Sequence, residues 1–136
     1  MIKTYSNKRD GNKQLSPHFK VREFAEQGND EIKIDDRLLP LLEAIYAALD
    51  CTKIIITSGY RTPAHNAKAG GTRFSQHLYG KAADIQVQGV SVEQVYAYAD
   101  KLLGNAGGCG IYPPGLGRAN GWVHVDVRKA KSRWKG

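Results

Sequence analysis

The sequence predicts a single small α+β domain in which an antiparallel sheet is flanked by helices. Two segments, residues 37–49 and 91–103, carry apolar residues at the spacing of a helix. Three shorter segments, at 54–57, 82–87 and 122–128, have the apolar composition or the alternation of strands. A chain of 136 residues can bury about two thirds of its unfolded surface in one core.

The beginning of the chain is polar and charged and shows no periodicity. This pattern predicts an extended N-terminal arm over residues 1–14 and a folded domain over residues 15–136. No hydrophobic segment of a secretory signal follows the basic N-terminal residues, so we expect a protein that is cytoplasmic as synthesised. No apolar run approaches the roughly 20 residues that span a bilayer, so no membrane partner is expected.

The first helix is predicted over residues 37–49. Its apolar side chains recur every three or four positions, at Leu38, Leu41, Leu42, Ile45 and Leu49. Asp35 or Asp36 is the expected N-cap, and Pro40 is tolerated because it lies in the first turn. We expect this helix to be core scaffold rather than part of a functional site.

The strand predicted at 54–57 ends in a turn at Gly59 that presents Arg61. Thr62 is the expected cap of a short helix, which Gly70 ends. A guanidinium at the end of a buried strand can hold a carboxylate with two hydrogen bonds. A surface salt bridge is the alternative role for Arg61.

The last predicted strand, residues 122–128, alternates apolar and polar side chains. Alternate residues of a strand share a face, so His124, Asp126 and Arg128 are expected on one side. The three valines between them would pack into the core. One face of this strand is therefore expected to belong to the core and the other to the functional site.

Three residues, His77, Asp84 and His124, have the types required for a catalytic metal. A zinc ion that catalyses hydrolysis takes three protein ligands from histidine and carboxylate and keeps a fourth position open for water. The alternative is that a histidine and an aspartate seven positions apart are unrelated. His65 lies in the predicted short helix and is expected on its surface or beside a ligand, not in the metal set.

Four segments together resemble the M15 family of zinc peptidases, and within it the D-alanyl-D-alanine carboxypeptidase-like branch that cuts peptidoglycan peptides. They are Ser58–Asn66 with Gly-Tyr-Arg, Ser75–Asp84 with Ser-x-His-x6-Asp, Gly107–Pro113, and Val123–Asp126 with His-x-Asp. The resemblance runs from about Leu15 to Trp134. It implies the α+β fold of hedgehog and D,D-peptidase domains, with Zn2+ held at the sheet by His77, Asp84 and His124.

The resemblance also implies roles for other side chains. Arg61 would contact substrate and help to polarise the scissile carbonyl. Ser75 would hydrogen-bond the substrate backbone or cap its own loop, and Gln76 would line the same wall. Relatives elsewhere in the family carry an acid three residues before the last histidine ligand, where this chain has Gly121. Asp126 is therefore the candidate general base, or else it orients a histidine.

These observations predict a zinc-dependent peptidase that hydrolyses peptide bonds of peptidoglycan stem peptides or cross-links, of carboxypeptidase or endopeptidase type. The alternative is a non-catalytic, zinc-containing wall-binding or phage structural module with the same fold. Without a secretory signal the enzyme would act after release or delivery, as a phage or prophage protein does. A monomer is expected.

The chain carries a net charge of +7, with basic residues concentrated in 128–135. This segment is expected to be a solvated tail or to attract an anionic polymer such as the bacterial wall. No nucleic-acid-binding signature accompanies the charge, so no nucleic-acid partner is expected. Cys51 and Cys109 match no zinc motif and are expected to be reduced, buried thiols.

Overall fold

The computed structural model describes residues 1–136 and contains nine strands, four α-helices and two short 3₁₀ helices. The strands are β1 (Ile2–Ser6), β2 (Gln14–Ser16), β3 (Phe19–Lys20), β4 (Glu31–Asp35), β5 (Ile54–Ser58), β6 (Ala82–Val87), β7 (Gly108–Tyr112), β8 (Trp122–Asp126) and β9 (Ser132–Lys135). The α-helices are α1 (Asn7–Asp10), α2 (Leu38–Ala48), α3 (Pro63–Lys68) and α4 (Val92–Leu103), and the 3₁₀ helices are Val21–Phe24 and Gln76–Tyr79.

The main sheet has five strands in the order β5-β6-β8-β7-β9. The pairs β5–β6, β6–β8 and β7–β8 are antiparallel, which confirms the predicted α+β domain with helices beside an antiparallel sheet. The pair β7–β9 is parallel, so the basic segment after residue 128 contributes an edge strand and is not only a solvated tail. Gly110 makes this possible, because a Cβ at that position would lie 2.2 Å from the Trp134 indole nitrogen.

The N-terminal residues differ from the predicted extended arm. Strand β1 pairs antiparallel with β4 along its whole length, from Ile2 opposite Asp35 to Ser6 opposite Glu31. The side chain of Ser6 then caps α1 and also donates to Asp30 (2.7 Å). The sequence pattern does not indicate this strand, because most of its side chains are exposed and its pairing with β4 is through the backbone.

One hydrophobic core lies between the main sheet and the helices α2 and α4. It includes Leu38, Leu42 and Ile45 of α2, Val92, Val95 and Ala99 of α4, and Ile85, Val123 and Val125 of the sheet. Burial raises the pKa of Cys109 in this core to about 12, and both cysteines are free thiols. No helix is both long and apolar enough to cross a bilayer.

Helix α2 begins one residue later than predicted, and neither Asp35 nor Asp36 caps it. Its N-cap is Arg37, whose side chain makes no capping bond. The buried Asp35 instead accepts from the Arg37 amide (3.0 Å) and from two guanidinium nitrogens, Nε (3.0 Å) and Nη2 (2.7 Å). The carboxylate is therefore held by an ion pair rather than by the helix terminus.

Arg37→Ala is expected to lower the free energy of unfolding at pH 7 and to lower it by roughly half as much near pH 3. Hydrogen bonding from Arg37 outweighs burial and lowers the pKa of Asp35 to about 2. A depressed folded-state pKa stabilises the fold above the unfolded-state value of about 3.9, and the contribution is lost as the pH falls towards 2. Urea unfolding at the two pH values measures the difference.

The matched control for this experiment is Arg22→Ala. Arg22 donates to the neutral amide of Asn12, so the effect of its replacement should not depend on pH in this range. A loss of stability for Arg37→Ala that is the same at pH 7 and pH 3 would contradict the ion-pair assignment.

Candidate metal centre and cleft

The sheet register brings two of the three predicted ligands side by side. Asp84 on β6 is the cross-strand partner of His124 on β8. Ser58, at the end of β5, is the partner of Asp84 on the other side. Opposed residues of neighbouring strands have Cβ atoms about 5 Å apart, so the carboxylate and the imidazole meet on one face of the sheet.

The third predicted ligand, His77, lies in the 3₁₀ helix Gln76–Tyr79. Ser75 caps this helix, and its hydroxyl accepts from the His77 amide (3.3 Å). The helix ends at Gly80, whose φ of +71° lies in the left-handed region that favours glycine. The His77 carbonyl accepts from the amide of Arg61 (3.1 Å), which ties this helix to the turn after β5.

The three side chains converge on one point. Asp84 Oδ1 lies 3.2 Å from His77 Nε2 and 3.1 Å from His124 Nδ1, and all three residues are buried. One ligand atom from each lies within 4.8 Å of the other two. The predicted set of His77, Asp84 and His124 is thus assembled by the fold.

The hydrogen bonds on the far side of each imidazole determine which nitrogen is free. His77 Nδ1 lies 2.7 Å from the Gly59 carbonyl oxygen, which can only accept, so Nδ1 carries the proton. His124 Nε2 lies 2.7 Å from Asp126 Oδ2, a carboxylate acceptor, so Nε2 carries the proton. The other nitrogens, His77 Nε2 and His124 Nδ1, face Asp84 Oδ1, and each donates to it when protonated or directs a lone pair at it when neutral.

When both imidazoles are neutral, two nitrogen lone pairs and a carboxylate oxygen face one another, and they repel unless a metal cation lies between them. The donor set is the one that zinc takes in catalytic sites, and each histidine is held by an outer hydrogen bond as metal ligands are. The residues therefore fit a bound zinc ion.

The ionisable groups of the cluster depend on one another. Burial alone would raise the pKa of Asp84, but hydrogen bonds to His124 and His77 outweigh it and lower the pKa. Burial alone would lower the pKa of His124, but hydrogen bonds to Asp126 and Asp84 raise it. Metal ligands must be deprotonated, so metal binding releases a proton and should weaken in acid.

Asp126 does not face the cleft. It is fully buried and accepts from the Gly108 amide (2.9 Å) and from the Nε (2.8 Å) and Nη2 (2.6 Å) of Arg128. The ring of His124 lies between Asp126 and the ligand atom of Asp84. This geometry does not fit the general-base hypothesis for Asp126, and it fits the alternative in which Asp126 orients His124.

A glycine is required beside this carboxylate. A Cβ at Gly108 would lie 2.2 Å from Asp126 Oδ2. Burial alone would raise the pKa of Asp126, but hydrogen bonds to His124 and Arg128 outweigh it and lower the pKa. Asp126 is therefore an anion at neutral pH, and it accepts the His124 Nε2 proton rather than a proton from the cleft.

Arg61 lines the cleft and also contacts one of the predicted ligands. Its Nη2 donates to Asp84 Oδ2 (3.2 Å), its Nε to Ser58 Oγ (2.9 Å) and its Nη1 to Asn66 Oδ1 (3.3 Å). The Arg61 side chain is 16% exposed, so a surface salt bridge does not describe it. Sequence reasoning missed Asn66, a buried side chain that also donates to the Thr72 carbonyl (2.7 Å).

The other predicted site residues occupy the same cleft or lie outside it. Ser75 and Gln76 both line the cleft, and the Ser75 hydroxyl is engaged as a cap. His65 is 47% exposed and pairs with Glu26 Oε1 (3.2 Å), outside the metal cluster.

The cleft has a volume of about 580 Å³ and one aromatic wall. The rings of Tyr112 and Trp122 are stacked with centroids 5.0 Å apart. Trp134 on β9 donates to the Tyr112 hydroxyl (2.8 Å), and its ring centroid lies 5.0 Å from that of His124. Sequence reasoning missed Trp134 as a site residue, because the basic segment around it did not indicate a strand.

Comparisons with known proteins agree with this site. The family model described as Peptidase M15 matches residues 13–126. A probable peptidoglycan L,D-endopeptidase, MepK, of Haemophilus influenzae is 33% identical over 89 residues, which cover 62% of this chain and 44% of that relative. The chain thus spans less than half the length of the curated relative that it matches. Because the family model covers most of the chain, including all three converging residues, the chain belongs to the peptidase M15 family.

Proposed function

We propose that this protein is a zinc-dependent peptidase that hydrolyses peptide bonds of peptidoglycan. The observation that carries the proposal is the convergence of two histidine lone pairs and the Asp84 carboxylate at the floor of an open cleft. Membership of the M15 family supports peptide hydrolysis. The similarity to a probable peptidoglycan L,D-endopeptidase supports peptidoglycan as the substrate.

His77, Asp84 and His124 would hold the zinc ion, through Nε2, a carboxylate oxygen and Nδ1. When bound, zinc lowers the pKa of a water molecule to about 7 and polarises a carbonyl. Asp126 keeps the His124 proton on Nε2 and so keeps Nδ1 free for the metal. Gly59 does the same for His77 through its carbonyl oxygen.

Arg61 would bind the substrate beside the metal. Three of its five N–H donors are used on Ser58, Asn66 and Asp84, and the other two remain for a substrate carboxylate or carbonyl oxygen. Donors held in place by the protein stabilise the negative charge that develops on a carbonyl oxygen during hydrolysis.

A second candidate function has a specific observation in its favour. Asp84 is the only carboxylate that lines the cleft, since Asp126 is buried behind His124 and Gly121 has no side chain. A general base contributes about 10²–10⁴ to a rate, and no cleft carboxylate other than Asp84 is present to act as one. A zinc-containing module that binds wall peptide without cutting it would have this arrangement.

Incubation of the zinc-loaded protein with defined muropeptides, read by mass spectrometry, separates these functions. Loss of one terminal residue would indicate a carboxypeptidase, and separation of cross-linked stem peptides would indicate an endopeptidase. Substrates with L,D and D,D bonds at the same position identify the bond that is cut. Binding of muropeptides without any mass change would overturn the peptidase and support the binding module.

Asp126→Asn is expected to weaken zinc binding by about 10–100-fold and to leave the fold intact. Asparagine keeps the size of the side chain but cannot hold the His124 tautomer as a carboxylate does. Competition with a chromophoric chelator measures the affinity, and Glu93→Ala, at an exposed position of α4, is the control. Unchanged zinc affinity together with a rate loss of about 10²–10⁴ would instead assign the general-base role to Asp126.

A further inference from the structure

We propose that Arg118 is a preformed anchor for a free carboxylate of the substrate peptide, beside the Tyr112–Trp122 wall of the cleft. This inference rests on the proposed function and concerns a carboxylate of the substrate that the metal cluster does not contact. It is carried by the backbone that presents Arg118, by the rings that hold it, and by its lack of a partner.

The backbone of Arg118 is held by a tight turn. The amide of Gly115 donates to the Arg118 carbonyl (2.9 Å), and the amide of Arg118 donates to the Gly115 carbonyl (2.9 Å). The two central residues, Leu116 and Gly117, have φ values of +52° and +84°, as in a type I′ turn. Leu116 is 92% exposed, so core packing does not account for its unfavourable conformation.

The side chain of Arg118 is held by the aromatic wall of the cleft. Its guanidinium carbon lies 5.3 Å from the ring centroid of Tyr112 and 5.3 Å from that of Trp122. A guanidinium held against aromatic rings by cation–π contacts can keep its N–H groups available for a ligand. Its conformational freedom is already reduced before a ligand arrives.

Arg118 has no partner within the protein. Its side chain makes neither a salt bridge nor a hydrogen bond, although it is partly buried. The two arginines nearer the metal cluster differ, because Arg61 bonds to Asp84 and Arg128 bonds to Asp126. The charge of Arg118 is therefore free to be neutralised by a ligand.

The position of Arg118 fits a carboxylate on the same peptide that reaches the metal. Trp122 precedes His124 by two residues on β8, a separation of about 7 Å along a strand, and both line the cleft. An extended peptide advances about 3.3 Å per residue, so a peptide bound along this wall would place one group at the cluster and a different group beside the rings that Arg118 contacts. The single cleft carboxylate, Asp84, already pairs with Arg61, so nothing in the cleft opposes an acidic ligand.

The test measures binding of a peptidoglycan tetrapeptide to the zinc-loaded protein by calorimetry. The probes are the peptide with free carboxylates and the same peptide with each carboxylate amidated in turn. Arg118→Ala is expected to weaken binding of the free peptide by about 10–100-fold. It should not weaken binding of the peptide that is amidated at the contacted position, and Lys101→Ala, on α4 away from the cleft, is the charge-matched control.

Equal losses for the free peptide and all amidated peptides would overturn the inference, since they would assign Arg118 a structural role on the Tyr112–Trp122 stack. No loss for Arg118→Ala, or no binding of the free peptide to the wild type, would overturn it too. Cleavage of the same peptides is followed separately by mass. Absence of cleavage by the wild type would reject the peptidase while the binding comparison still decides the role of Arg118.

Discussion

His124→Ala is expected to weaken zinc binding by about 10²–10³-fold and to remove peptidoglycan cleavage at zinc concentrations that saturate the wild type. A structural zinc ion contributes roughly 10–16 kcal/mol over four ligands, so one ligand is worth about 2.5–4 kcal/mol. His124 supplies one nitrogen of the cluster and connects it to the buried Asp126. Chelator competition and metal analysis measure the loss.

The matched control is His65→Ala. His65 lies in α3 and pairs with Glu26, and neither residue belongs to the converging set. Its replacement should leave zinc binding unchanged. A wild-type protein that holds no zinc when prepared without chelator, or equal zinc affinity of His124→Ala and the wild type, would reject the metal centre.

Arg61→Lys is expected to lower kcat/KM on peptidoglycan peptides by about 10²–10³-fold at saturating zinc, the usual cost of losing a donor that stabilises developing charge. A guanidinium directs separate N–H groups at Ser58, Asn66 and Asp84 and keeps others for the substrate. An ammonium is a point charge on a flexible stem and cannot replace this planar arrangement. Arg61 is not a ligand, so close to one zinc per chain should remain.

Arg22→Lys is the control for this substitution, because Arg22 is exposed and bonds only to Asn12. Full activity of Arg61→Lys would show that Arg61 has a structural role. It would also weaken the claim that the substrate presents a carboxylate or carbonyl oxygen to this side chain.

The secondary structure around the core was largely predictable. Helix α2 was predicted over residues 37–49 and spans Leu38–Ala48, because its apolar spacing is a local property. Strand β6 was predicted over residues 82–87 and has those bounds. The cap of α2 was not predictable, because Arg37 competes with the helix terminus for the Asp35 carboxylate.

Two elements missed by sequence reasoning, β9 and β1, are stabilised mainly by contacts with distant residues. Strand β9 has no apolar alternation and forms by pairing with β7, where Arg133 also bonds to Asp100 and to the Gly107 carbonyl. Strand β1 exposes most of its side chains, and its backbone pairs with β4. A periodicity search cannot find such strands, because their burial does not alternate.

The sequence by itself determined the chemical types in the candidate site and their places along the chain. His124 and Asp126 alternate with buried valines, and His77 and Asp84 surround a short apolar run, so all four could be assigned to strands or to a loop that leads into one. These assignments succeed because strand alternation depends only on neighbouring residues.

Only the tertiary structure decided what each group does. The Gly59 carbonyl and Asp126 select which nitrogen of each histidine is free, and Arg128 turns Asp126 away from the cleft. Arg118 is left without a partner, because Asp84 belongs to the metal cluster and pairs with Arg61, and Asp126 is buried behind His124 and pairs with Arg128. Each outcome depends on which of several groups, far apart in the chain, forms a given hydrogen bond. The residues next to each group in the sequence do not indicate which partner it will have.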